Sequence, residues 1–80
     1  MLTRERLENA LRAYPKGVET VEIGGEPRFV ATVVSRSFES QDEAERQAEV
    51  WGYLRRLLSE HELPQIEFIF TDTPAEHALS

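Results

Sequence analysis

The 80 residues include no cysteine, so disulfide bonds, thiolate metal sites and a cysteine nucleophile are excluded together. No apolar run approaches the roughly 20 residues that a membrane-spanning helix requires. Positive charge is scarce: nine Lys and Arg stand against fifteen Asp and Glu, a formal net charge of -6. That is the wrong sign for binding phosphate backbones by counterion release. Glycine is scarce too, and neither GxGxxG nor GxxxxGK[ST] occurs, which removes the usual nucleotide cradles. The opening MLTRERLENALRAYP mixes acids among spaced apolar residues, unlike a secretory signal, so a cytoplasmic protein is expected. Repeats and low-complexity segments are absent, and the length suits a single domain spanning 1–80.

What is present is periodic. Leu7, Ala10, Leu11 and Tyr14 recur at helical spacing behind Thr3, an N-cap, with Leu2 and Leu7 placed as a hydrophobic staple; a helix over about 3–14 follows. Pro15 and Gly17 end it. Two β-branched runs, about 18–23 and 28–35, flank Gly24-Gly25-Glu26-Pro27 and read as a hairpin. Ser40 and Glu43 have capping-box spacing, which predicts a second helix from Ser40 with an apolar stripe of Ala44, Ala48, Trp51, Leu54, Leu57 and Leu58. After Pro64, the residues Ile66, Phe68, Ile69 and Phe70 predict a third strand, and the tail from Pro74 is long enough for one helical turn.

The order is therefore αββαβ, an α+β domain with a three-stranded mixed sheet. The hairpin makes strands one and two antiparallel, and the helical crossover makes strands two and three parallel. Two helices cover only one face of that sheet. Strand two is apolar on both sides, so the other face is expected to meet a second copy, a partner or the tail.

Chemistry-bearing motifs are few. Gly24-Gly25 lies between strands, where a hairpin turn explains it better than a phosphate cradle. His61 and His77 are flanked by Glu60, Glu62 and Glu76 but lack helical ligand spacing, so solvated surface histidines are the simpler reading. No GxSxG elbow occurs, and the acids are scattered over helix faces. These observations predict no catalysis, no cofactor and no metal. Trp51 is read as a core aromatic, with a partner anchor as the alternative.

The segment Val33-Val34-Ser35-Arg36-Ser37-Phe38-Glu39, followed by Arg46-Gln47, Val50-Trp51 and Leu54, resembles the BolA-like family, whose V-V-S strand end leads through x-x-F-E-G to a helix with an R-H or R-Q pair and then V-Y. Thr73-Pro74-Ala75-Glu76 resembles that family's T-P-E-E, and Ser40 stands where the family has glycine. The resemblance covers about residues 28 to 76 and implies a KH-like αββαβ fold. It also implies a monothiol glutaredoxin-type partner, with which the family bridges a [2Fe–2S] cluster through a histidine at the start of the last strand and a His or Cys in the hairpin loop. Here Gln65 or Glu67 stands at the histidine's place and the short loop has no ligand, which makes the chain atypical. His77-Ala78-Leu79-Ser80 spells part of the family's I-H-A-L-S-I motif on the wrong side of Thr73-Pro74, and His61 lies too early unless the loop realigns.

The expected function is that of a non-catalytic adaptor or regulator acting on another protein, with Trp51, Arg46 and Arg36 as partner contacts. The alternative is a KH-like nucleic-acid binder or transcriptional regulator using Arg28, Arg36, Arg46, Arg55 and Arg56, although no GXXG loop is present and Asp42 has the spacing to pair with Arg46 on the helix surface. A third reading is an enzyme accessory subunit or a small-molecule binder with a pocket against the uncovered sheet face. A contiguous arginine stripe would favour nucleic acid, whereas an apolar patch rimmed by acids would favour a protein partner.

Overall fold

A computed structural model describes residues 1–25 and 28–79, with the order α1 (Arg4–Arg12), β1 (Thr20–Gly24), β2 (Phe29–Val34), α2 (Glu43–Leu57), β3 (Ile66–Asp72) and α3 (Pro74–Ala78). The sheet runs β1-β2-β3, antiparallel between the first two strands and parallel between the last two. Fold class and topology are those the periodicity predicts. The tip of the hairpin at Glu26-Pro27 lies outside the described residues; beside it, Gly25 has φ +77°, and a Cβ there would stand 2.6 Å from the Arg28 carbonyl oxygen. Only glycine fits that position without strain.

Thr3 caps α1 through its hydroxyl on the Arg6 N–H, and Leu2 and Leu7, both buried, close the staple over that end. Leu7 and Leu11 then join Val21, Phe29, Ala31 and Val33 from the sheet and Val50, Tyr53, Leu54 and Leu58 from α2 in one cluster. One face of each strand thus lies under both helices. Tyr53 is admitted because its hydroxyl donates to the Ala10 carbonyl at 2.6 Å, which satisfies the buried phenol and ties α2 to α1.

The second helix begins later than Ser40. Ser35 instead caps a 3-10 turn over Arg36–Ser40, which drives Phe38 fully into the core. The chain straightens at Gln41, and Asp42 with Glu45 supplies the capping box that starts α2. Burial of Phe38 is what displaces the start: a helix running on from Ser40 would leave no break in which the ring could turn inward. The inward face of α2 differs from the expected stripe as well. Ala44 and Ala48 are exposed and Leu57 is 48% exposed, while Arg46, Val50, Tyr53 and Leu54 are buried.

Arg46 is the reason. Its Nε donates to the carbonyls of Phe38 (3.1 Å) and Gln41 (3.0 Å), and its Nη1 donates to the carbonyl of Thr71 (3.1 Å) and to Glu76 Oε1 (2.8 Å). The guanidinium also lies 5.7 Å from the centroid of the Phe38 ring. The expected surface pair with Asp42 is thereby corrected: the side chain is 9% exposed and its carboxylate partner is Glu76. One fork-shaped cation satisfies acceptors from the 3-10 turn, the loop before α2, the last strand and α3.

The same helix closes the outer edge of β3. Because the Asp72 carbonyl accepts from the Ser35 N–H on the β2 side, the carbonyls of Ile69 and Thr71 point away from the sheet. Arg46 takes the second, and Gln47 Nε2 takes the first at 2.8 Å. Trp51 Nε1 donates to Gln47 Oε1 at 3.0 Å, which fixes the amide with its NH2 toward the strand. An edge that would otherwise template another strand is occupied by side chains of the chain's own helix.

Replacing Arg46 with Leu should cost about 3–5 kcal/mol in urea melts, because the carbonyls of Gln41 and Thr71 lose this donor while Phe38 and Glu76 are left with only the Gln41 and Thr73 N–H groups. Arg46→Lys should recover less than half, since an ammonium lacks the fork that reaches several acceptors; recovery to wild-type stability would show that charge alone suffices.

The Arg6 guanidinium, seconded by the Ser59 N–H, holds the Glu62 carboxyl down at about 2, and Arg46 with the Thr73 N–H holds Glu76 below its ordinary value of 4.5. Depressed carboxylates contribute stability that is complete above the unfolded value and is lost as pH falls through the folded one. The midpoint of thermal unfolding should therefore stay level from pH 7 to about 5 and fall between about 4.5 and 2. In Glu62→Gln it should be lower at pH 7 and fall less steeply; an unchanged slope would assign the acid transition to other groups.

Candidate functional site

Neither α1 nor α2 covers the second face of the sheet, and the strand register lays it out as three rows. Gly24, Val30 and Phe68 form the first, Glu22, Thr32 and Phe70 the second, and Thr20, Val34 and Asp72 the third. Phe68 and Phe70 are 46% and 50% exposed, and their rings meet edge to face at 4.7 Å and 68°.

These rings face outward because of one irregularity. Phe29 pairs with Ile66 but Val30 with Phe68, so Glu67 is an extra residue and the alternation of β3 is reset. Ile66, Ile69 and Thr71 turn into the core, and both phenylalanines are left outside. A strictly alternating strand would have put Ile66, Phe68 and Phe70 on one face.

Acids border the rings. Glu22 stands in the second row, Asp72 in the third, and Glu67 lies at the bulge, 3.7 Å from Arg28. His77 on α3 places Nε2 3.7 Å from Glu22 and Nδ1 3.8 Å from Asp72, which lays α3 across the third row. Val34 in that row is buried to 2% exposure, so the tail covers one end of the face and leaves the phenylalanine end open.

The structure does not gather the expected partner contacts. Arg46 is internal. Trp51 is half-buried at the margin of the core, engaged with Gln47 over the β3 edge. Arg36 follows β2, where its backbone N–H donates to Glu19 and its guanidinium lies 3.7 Å from the same carboxylate. Nor do the five arginines form a stripe: Arg28 and Arg36 flank β2 roughly 25 Å apart at about 3.3 Å per residue, Arg46 is buried, and Arg55 and Arg56 lie in the last turn of α2. The residues missed by sequence reasoning as a site are Phe68 and Phe70 together with Glu22 and Glu67. The bulge that exposes the rings has no sequence signal, because Ile66-Glu67-Phe68 is compatible with plain alternation.

The titratable clusters serve the fold. Lys16 and Gln41 both donate to Glu49, with the Tyr14 hydroxyl 3.4 Å from it, and burial followed by Glu49 pushes the Tyr14 phenol up to about 12. A phenol held protonated in this way is a poor proton acceptor. Among the described residues no group of three or more His, Asp or Glu is placed to hold a metal ion.

The donor set does not fit a bridging iron–sulfur cluster. Gln65 Oε1 accepts from the Leu2 N–H and its Nε2 donates to the His61 carbonyl, so the amide joins the N-terminus to the loop before β3. Glu67 is matched with Arg28. His61 is exposed on that loop and His77 lies on α3 between two carboxylates. Neither the amide nor the carboxylate replaces an imidazole on iron.

No family sequence profile matches the chain, and no curated protein matches it. Solved structures do. A Bol-like protein from Babesia bovis superposes with TM-score 0.72 and 23% identity, over 99% of this chain and 93% of its own. BolA1 from Arabidopsis thaliana gives 0.67 and 22%, over 95% and 98%, and a BolA protein homologue from Coxiella burnetii gives 0.61 and 23%, over 98% and 99%. With the αββαβ order, the mixed sheet and α1 and α2 gathered on one face all in place over nearly its whole length, the chain has the BolA-like fold.

Proposed function

We propose that the protein is a non-catalytic adaptor or regulator that works by binding another protein. The observation that carries this reading is the open sheet face: two exposed, mutually stacked phenylalanines bordered by Glu22, Glu67 and Asp72. An apolar patch rimmed by acids suits a protein surface and repels phosphate. The arginines that a nucleic-acid site would use are dispersed, and Arg28, Arg36 and Arg46 each have a carboxylate partner. A glutaredoxin-type protein is the partner class that the family resemblance suggests. Contact with it would be direct, since Gln65 or Glu67 stands where the family resemblance would put a cluster-binding histidine, and Gln65 is bonded to Leu2 and Glu67 matched with Arg28.

Mixing the protein with a monothiol glutaredoxin during cluster reconstitution should produce no visible circular dichroism band that requires both proteins. Such a band, lost in His61→Ala or His77→Ala, would restore the cluster-bridging role to one of those histidines. Titration with random DNA and RNA at about 150 mM salt should show no sub-micromolar complex. A tight, sequence-dependent complex weakened by Arg28→Ala or Arg55→Ala would put the nucleic-acid reading first.

A further inference from the structure

The open face has a shape and a charge, and together they restrict what can sit on it. Three strands about 4.8 Å apart carry three rows about 7 Å apart, a surface of roughly 10 by 14 Å. The third row lies beneath α3. What stays open is the strip from Gly24 and Val30 to Phe68 and from Glu22 and Thr32 to Phe70. Half-exposed rings leave about 200 Å² of apolar side chain for the pair, whereas a stable dimer takes about 800 Å² from each copy. A second copy stacked face to face is therefore a poor occupant. The scale is that of one short segment.

Gly24 carries no side chain at one corner of the strip, and a Cβ built there meets nothing within 4 Å, so the space beside Val30 is open among the described residues. The electrostatics favour a cation. Both phenylalanine rings offer exposed π surface, and a guanidinium against an aromatic face is attracted by its quadrupole. Glu22 shares a row with Phe70, and its side chain is 59% exposed; Glu67, 58% exposed, follows Ile66 next to Phe68. Arg28, beside Glu67, and Arg4, whose Nη1 donates to the Ile23 carbonyl at 3.0 Å, are the arginines at the border among the described residues, and the chain as a whole carries -6.

Resting on the adaptor reading above, we propose that the strip formed by Val30, Phe68 and Phe70 with Glu22 and Glu67 docks a short segment of another protein in which an arginine stands next to an apolar residue. The apolar residue sits over Gly24 and Val30, and the arginine lies against the phenylalanine rings within reach of Glu22 or Glu67.

The test is a selection of random short peptides displayed on phage, with the full chain as bait. The enriched peptides should share an arginine beside an apolar residue, and synthetic copies should bind at least about tenfold more weakly to Phe70→Ser and to Phe68→Ser. They should also bind more weakly to Glu22→Lys and at raised salt. Leu57→Ser, which alters an exposed apolar residue on α2, should change nothing. Because both rings are half in water, the serine variants should fold, which their far-ultraviolet circular dichroism would verify. Enriched peptides without basic residues, or peptides indifferent to the Phe68 and Phe70 changes, would overturn the proposal and leave the adaptor reading standing. So would a dimer in sedimentation that Phe70→Ser dissolves. A selection that returns no specific peptide, or an RNA oligonucleotide bound through the same rings, would overturn both.

Discussion

The Arg46 guanidinium is the point at which the separate parts of this small fold meet. Four acceptors, three of them backbone carbonyls, converge on it from the 3-10 turn, the loop before α2, the last strand and α3. An apolar residue of the same volume would take this donor from the carbonyls of Gln41 and Thr71 and leave Phe38 with only the Gln41 N–H, and a buried unpaired carbonyl costs about 1–3 kcal/mol. The cation is tolerated because every direction it presents is met, including the Phe38 ring beneath it. Phe38 is buried by the turn whose carbonyl Arg46 holds, so ring and cation depend on each other. α3 is attached by the same device, through Glu76, whose carboxylate also completes the capping box that starts the short helix.

Sealing the edge of β3 follows from the same helix register. Arg46 and Gln47 are consecutive, and their side chains reach successive outward carbonyls on β3, those of Thr71 and Ile69. With that edge engaged, growth of the sheet by strand addition is opposed there. The bulge at Glu67 decides what that face displays. One extra residue exchanges the sides of β3, turning the larger aromatic rings to solvent and the smaller Ile69 and Thr71 to the core. Exposing two phenylalanines when the helices could have received them is costly for stability, and costs of that kind are usually found at contact surfaces.

Much of this architecture is legible in the sequence, and the limits are physical. The helices, the hairpin, the parallel crossover and the core positions of Leu7, Leu11 and Leu54 come from periodicity, because the apolar stripe of a helix is the face it buries. The face of α2 is misjudged because a hydropathy pattern credits Ala44 and Ala48 and assigns a cation to water. The partners that bury Arg46 are backbone carbonyls distant in sequence, and carbonyls leave no trace in residue identity. The start of α2 shifts for a related reason: Ser40 and Asp42 are both competent caps, and the burial of Phe38 chooses between them. The aromatic patch is hidden by a bulge that any alternation template passes over. The tail, by contrast, is readable, since Thr73, Pro74 and Glu76 spell a capping box with proline in the first turn.

The size of the open face also limits how tightly the proposed adaptor could hold a partner there. About 200 Å² of apolar surface is worth on the order of 5 kcal/mol at about 25 cal/mol per Å², whereas association costs an estimated 4–15 kcal/mol in lost freedom and ordering. Burial alone therefore leaves little or nothing over. Attraction from Glu22 and Glu67 adds specificity and encounter rate more than it adds depth, and both carboxylates are more than half in water, where such pairs contribute about 0–1 kcal/mol each. A partner held only here would come and go quickly. Durable attachment would require a second contact elsewhere on the same partner, whose effective concentration the first contact raises, so an adaptor that worked through this face alone would form complexes that exchange.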